Sequence, residues 1–229
     1  MLFGIVALAI IILFAVLIAY LVVRRSNALN NGIDTLSMIP YIMPGSVIGI
    51  ALVIAFGRQP FALTGTATIM ILALVIRRMP YTIRSATATL QNIPISTEEA
   101  AISLGASKLK TFVRITVPMM GNGIISGAVL SWVAIVTELS SAIILYNNRN
   151  ITLTMSAYVA ISRGNYGLAA AFSTILTILT TVGYETVDVD SDVMLAQTVI
   201  VGTVPETYVN LGHLTTTEGW EQYGTETGN

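Results

Sequence analysis

The sequence contains no cysteine. Disulfides, zinc–thiolate sites and cysteine nucleophiles are therefore excluded. Charge is scarce as well: 10% of the 229 residues are charged, against roughly 25% in a soluble domain. With 54% of its residues hydrophobic, a chain of this size cannot hide its apolar surface from water, and the bilayer is its natural solvent. Histidine is nearly missing. His213 is the only one, and neither a triad nor a ligand set surrounds it. A Gly-x-x-x-x-Gly-Lys-Ser/Thr phosphate loop is absent, so the chain does not hydrolyse ATP itself. No catalytic residue, metal or cofactor is expected, and no nucleic acid partner.

Basic residues are missing from one whole region. Residues 184–229 contain eight acids and neither Lys nor Arg, a total of −8. Residues 1–183 hold all 11 basic residues and four acids (Asp34, Glu98, Glu99, Glu138), a total of +7. Two pieces are therefore expected: a membrane core over 1–183, and an acidic tail over 184–229 outside that fold. Within the tail Asp188, Asp190 and Asp192 imitate the start of a calcium loop. Val193 and Val199 stand where such a loop needs Gly and Glu. The tail holds one strand-like run, Ala196 to Val201, and otherwise reads as strand-forming or disordered.

Long charge-free stretches dominate the core. Residues 2–23 lack any charge and match the roughly 20 residues that cross a hydrocarbon layer. A cleaved signal is the weaker reading, because no basic segment precedes the run and Arg24-Arg25 follow it. Further apolar runs cover 41–56, 61–76, 119–146 and 166–183. Backbone groups in lipid must be satisfied within one segment, so an all-α membrane protein with about five spans is expected. The second run carries Pro44-Gly45, with Pro40 just ahead. Broken spans point to a transport path; a helix start trimmed by proline is the plainer alternative. Basic residues set the orientation. Arg77, Arg78, Arg84, Lys108, Lys110 and Arg114 fall between spans three and four. Placing them in the cytoplasm with Arg24 and Arg25 gives eight inside, against Arg58, Arg149 and Arg163 outside. The first residue then lies outside, which would be ordinary if helices precede it.

Residues 94–118 of this basic loop carry the sharpest signal. Ser96 and Glu99 have capping-box spacing. Ala100, Ala101 and Leu104 make a small, smooth face. Gly105 can stop the helix with positive φ, and Ser107 can cap a second one. On that second helix Leu109, Phe112 and Val113 share a side, while Lys108, Lys110 and Arg114 stay wet. Pro118 is placed to open the next span. Two short helices folded about a glycine form a knob that a partner could approach closely. An amphipathic loop lying on the lipid surface is the alternative.

Glu99-Ala100-Ala101, Gly105, Ile115 and Pro118 resemble the cytoplasmic signature of binding-protein-dependent ABC importer permeases. The one departure is Val117, where Leu is usual. The resemblance implies that this loop is a coupling helix docking on a separate ABC ATPase subunit. It further implies an extracytoplasmic solute-binding protein, a second permease half or subunit, and a bacterial inner-membrane location. The similarity extends over residues 1–183. Thr137-Glu138-Leu139-Ser140-Ser141 and the segment from Ile151 to Tyr158 look most like the second half of iron(III) permeases. Relatives handling phosphonate, thiamine, polyamine, sulfate or molybdate remain in play. The rival reading is a membrane-anchored signalling or structural protein whose loop only holds a partner.

Glu138 is the only acid inside an apolar run. A carboxylate at mid-bilayer costs roughly 2.5–3.5 kcal/mol, so it must face a partner, a cavity or the outer interface. An outer-vestibule position is expected. With Ser140, Pro44 and Gly45 it is a candidate lining residue of a solute path; a structural bond, for instance to Arg149, is the alternative.

Overall fold

The computed structural model describes residues 2–25, 27–60, 62–147 and 150–185. Arg149, the three aspartates at 188, 190 and 192, the run Ala196 to Val201 and His213 lie outside the described residues. Among the described residues every regular element is helical.

Helix α1 (Leu2–Arg24) buries Gly4, Ala7, Ile11, Ala15 and Ala19, an i+3/i+4 stripe on an otherwise apolar rod. Among the described residues it is the one helix that by itself is long and apolar enough to cross a membrane; two bent helix pairs raise that number to three. Helix α2 (Ala28–Ile42) starts where the Asn27 side chain accepts from the Asn30 amide at 2.8 Å. Its Asp34 pairs with Arg84 at 3.3 Å. Met43 and Pro44 are extended, and α3 (Gly45–Phe56) leaves at 111°. The Pro44-Gly45 break is therefore real.

The third apolar run behaves differently from expectation. Helix α4 (Ala67–Gln91) begins after the Thr66 cap and does not stop at Ile76. It continues through Arg77, Arg78 and Pro80 for 25 residues, about 37 Å at 1.5 Å per residue. Arg77 and Arg78 thus stand mid-helix, not in a connecting loop. Arg84 lies within α4 too, so five of the eight basic residues assigned to one side stand outside this helix.

Next come α5 (Ile95–Ser103), α6 (Lys108–Thr111), a π-helical turn over Phe112–Thr116 and α7 (Val117–Met119). The chain bends by 66° before α8 (Gly121–Val136). Pro118 therefore lies in the short α7, ahead of the bend, instead of opening the span. The expected run 119–146 is split: α8 stops at Val136, and α9 (Ala142–Leu145) resumes after a loop. Helix α10 (Leu153–Ser162) was not anticipated from hydropathy. Helix α11 (Tyr166–Glu185) matches the fifth run.

Two apolar clusters organise the bundle. One joins Ala7 and Ile11 to Ile48, Leu52, Ile69, Met70, Ala73, Ile135 and Leu145. The other joins Ala19 to Ala86, Leu90, Ile93 and Met120. Low numbers of α1 pair with low numbers of α4, so these helices run parallel, and α8 runs against both. The α4–α8 seam is built from small residues. A Cβ on Gly127 would lie 2.7 Å from the Thr82 Cα, so the backbones touch there, as small-x-x-x-small seams allow. Ser131 Oγ lies 2.8 Å from Thr82 Oγ1 and donates to the Arg78 carbonyl at 3.0 Å. Ser85 Oγ donates to the Gly123 carbonyl at 2.7 Å. These bonds steady α4 around Pro80, which lacks one helical N–H.

Candidate functional site

Two arrangements stand out, one at the Arg24 end of the bundle and one at the middle of α4.

At the Arg24 end, α5 and α6 fold into a knob. The first helix ends in a Schellman turn: the Ala106 amide donates to the Ala101 carbonyl at 3.1 Å, and the Gly105 amide to the Ile102 carbonyl at 2.9 Å. Gly105 has φ +90°, the conformation its position called for. Ser107 caps α6, accepting from the Lys110 amide at 3.3 Å. The Ser96–Glu99 capping box does not form. Pro94 is the N-cap residue and no side chain caps α5, because the helix starts two residues earlier than the box requires.

The knob is fastened to α1 through Glu98, which is 7% exposed. Arg24 Nε donates to Glu98 Oε1 at 2.8 Å, and the Tyr20 hydroxyl to Oε2 at 3.2 Å. A second Arg24 nitrogen donates to the Ile93 carbonyl at 2.8 Å. The Phe112 ring meets Tyr20 edge-on at 4.7 Å. Fastening uses Glu98, so Glu99 and Ala100 remain exposed while Ala101 packs inward. Leu104 is 90% exposed and Leu109 73%. The expected sidedness of α6 is thus corrected: Phe112 packs inward, while Leu109 and Val113 face out with Lys108, Lys110 and Arg114. Ile115 is half-buried and Pro118 exposed. The outer face offers apolar side chains among basic ones, and among the described residues these side chains are exposed.

The second arrangement surrounds Glu138, which lies in the loop between α8 and α9, level with the middle of α4. Arg77 Nη1 donates to Glu138 Oε1 at 2.5 Å, and Arg78 Nη2 donates to Oε2. The Ser141 amide and hydroxyl add donors to Oε1 at 3.0 and 3.1 Å. Arg149 is therefore not needed as the partner. The carboxylate side chain is 2% exposed, and those of Arg77 and Arg78 are 12% and 16%. Gly45 packs directly on the Arg77 guanidinium. A Cβ there would also fall 2.7 Å from the Ser140 Cβ.

Pro44, Gly45, Glu138 and Ser140 are the candidate path residues of the sequence, and Gly45, Glu138 and Ser140 meet around Arg77. Arg77 and Arg78 were missed, because a double arginine after an apolar run reads as the end of a span. The usable signal was Glu138 itself: a buried carboxylate requires a buried cation. Among the described residues no group of three or more His, Cys, Asp or Glu could hold a metal ion.

The family model described as the binding-protein-dependent transport system inner membrane component matches residues 3–188, running slightly past the charge switch at Gly183. The ferric transport system permease protein of Actinobacillus pleuropneumoniae is 34% identical over 73% of this chain and 24% of its own length. A molybdate/tungstate transport system permease protein of Pyrococcus abyssi is 29% identical, over 70% of this chain and 62% of its own length. The chain thus spans about a quarter of the length of this ferric relative. Among solved structures, a bacterial ABC transporter importing the polysaccharide alginate has TM-score 0.62 at 14% identity. It covers 88% of this chain and 78% of its own. The MetNI methionine ABC transporter has TM-score 0.58 at 15% identity, over 84% of this chain and 94% of its own. These two likenesses concern the fold alone.

Proposed function

The chain belongs to the family of binding-protein-dependent transport system inner membrane components, and from that premise we propose that it is the permease part of an ABC importer for iron(III). One observation carries the reading. The knob around Gly105 is fastened to α1 through Glu98 and turns Glu99, Ala100, Leu104 and Leu109 outward. Such a face suits an ATPase subunit, whose closing and opening would swing the knob and, through the Arg24–Glu98 link, the end of α1. The path then alternates between the two sides of the membrane.

In this reading the knob and residues 184–229 are cytoplasmic, five spans cross the membrane, and a second permease half completes the path. An extracytoplasmic binding protein delivers the solute. Iron(III) is favoured over molybdate, tungstate or sulfate because the ferric relatives are 34% and 36% identical, while the molybdate/tungstate and sulfate relatives lie between 26% and 29%. The test is ATP-driven uptake by proteoliposomes holding the chain with its ATPase, partner half and binding protein. Ferric uptake that stops when the ATPase is omitted supports the proposal. An ATPase that fails to bind the chain would sink the importer reading, and uptake of another solute would sink only the iron assignment.

A further inference from the structure

The cluster at the middle of α4 is electrostatically incomplete. Arg77 and Arg78 bring two positive charges and Glu138 one negative charge, leaving +1 among largely buried groups. All three lie within one constellation, and the single carboxylate already receives four donors. The Nε atoms of both arginines are buried and have no acceptor among the described residues. The N-terminus of α3, a 12-residue helix without a side-chain cap, abuts the Arg77 guanidinium at Gly45. Helix N-termini carry partial positive charge, so the start of α3 adds to the positive charge beside Arg77 and does not offset it. Uncompensated charge in a low-dielectric region is costly, and charged groups inside spans mark solute pathways by default. Around the cluster Tyr41, Pro44, Thr137 and Ser140 are exposed, so the cluster lies close to the surface of the described residues. The missing complement is negative.

We propose that Arg77, with Arg78 and the start of α3, forms an anion-binding station on the solute path, so that the transported solute crosses as an oxygen-rich anion. The station rests on the importer reading and narrows its substrate class. Iron(III), for which the described residues offer no ligand group, would pass only inside a negatively charged complex with oxygen donors. A bare cation would be repelled. Glu138 holds the two guanidinium groups apart and in place, and Ser140 stands at the rim.

The test uses the assembled importer in proteoliposomes, with five probes: molybdate, sulfate, ferric citrate, thiamine and spermidine. Membrane insertion and ATPase binding are measured alongside. The wild-type assembly is expected to take up at least one of the three anions and neither cation. Arg77→Gln brings the cluster to zero and removes a charge-assisted donor. Anion uptake should fall about ten- to a hundred-fold, while Arg77→Lys keeps most of it. The double variant Arg77→Gln/Glu138→Gln restores +1 through Arg78 and should recover part of the uptake. A purely structural ion pair predicts the opposite order. The single variant would keep its Arg78–Glu138 pair and stay active, and the double, with an unpaired arginine, would be worse. That order would overturn the proposal, as would uptake of thiamine or spermidine. An assembly that binds its ATPase yet moves none of the three anions also overturns it, leaving the importer reading standing. Loss of ATPase binding in the wild type would instead remove the importer reading.

Discussion

Removing the carboxylate of Glu98 should loosen the knob from α1 without changing its outer face. Glu98 is 7% exposed, and its bond to Arg24 is 2.8 Å between side chains each 9% exposed. Breaking a buried pair by deleting one partner costs about 3–5 kcal/mol, because the other charge is left stranded. Arg24 keeps one bond, to the Ile93 carbonyl, so the lower end applies to Glu98→Gln. At 1.4 kcal/mol per decade, local opening of the knob should become more frequent by about two decades. The assay is amide hydrogen exchange over residues 95–116 in the detergent-solubilised assembly. Exchange should accelerate there and stay unchanged in α8. In proteoliposomes the ATPase should still bind, while uptake per ATP hydrolysed falls. The pair also has an internal control. Glu98→Met/Arg24→Met removes both charges together, and such apolar replacements are often neutral or stabilising. Exchange should return toward the wild-type rate. If Glu98→Gln leaves exchange over 95–103 unchanged, or if the double variant is worse than the single, the link is not what holds the knob.

Four further outcomes follow from the same geometry. A Cβ on Gly105 would meet no atom within 4 Å, so the main effect of Gly105→Val is the strain of φ +90°, about 1–2 kcal/mol; ATPase association should weaken with insertion intact, and Gly105→Asn should be milder. Gly127→Leu forces a Cβ within 2.7 Å of the Thr82 Cα, an overpacking cost of about 1–3 kcal/mol or more; the folded yield in membranes should drop. Cysteines at Ser107 and at Tyr146 should react with an impermeant thiol reagent from opposite sides of intact cells, and labelling of both from outside would refute the orientation. Stopping the chain after Tyr184 removes the segment beyond the charge switch and should leave insertion and ATPase binding unchanged at low and high salt.

The knob was legible because each of its devices is local. A Schellman turn needs one glycine, and an N-cap needs one serine, so Gly105 and Ser107 could be read one residue at a time. The Glu98 attachment was not legible, since its partners lie 74 and 78 positions away. Next to Glu99, which belongs to the recognisable pattern, Glu98 looks like an ordinary first-turn acid. The same contrast explains α10. Its N-cap is local, with Thr152 accepting from the Met155 amide at 3.2 Å, but ten residues are too few to register as an apolar run.

The spans failed in a more instructive way. Hydropathy assigns an ending wherever charge appears, as though every charge had to reach water. Arg77 and Arg78 satisfy their charge sideways instead, through Glu138, and so α4 continues past them. The carboxylate can do this because α8 stops at Val136 and frees a loop at the right level. The break at Pro44-Gly45 admits the start of α3 to the same place, where a side chain on Gly45 would not fit. Two interrupted helices and one uninterrupted charged helix thus depend on each other. Closing either break would remove the geometry that keeps the arginines buried, and removing the arginines would leave the Glu138 carboxylate without a counter-charge. The interruptions in the sequence and the misplaced charges are therefore one feature, seen from different segments of the chain.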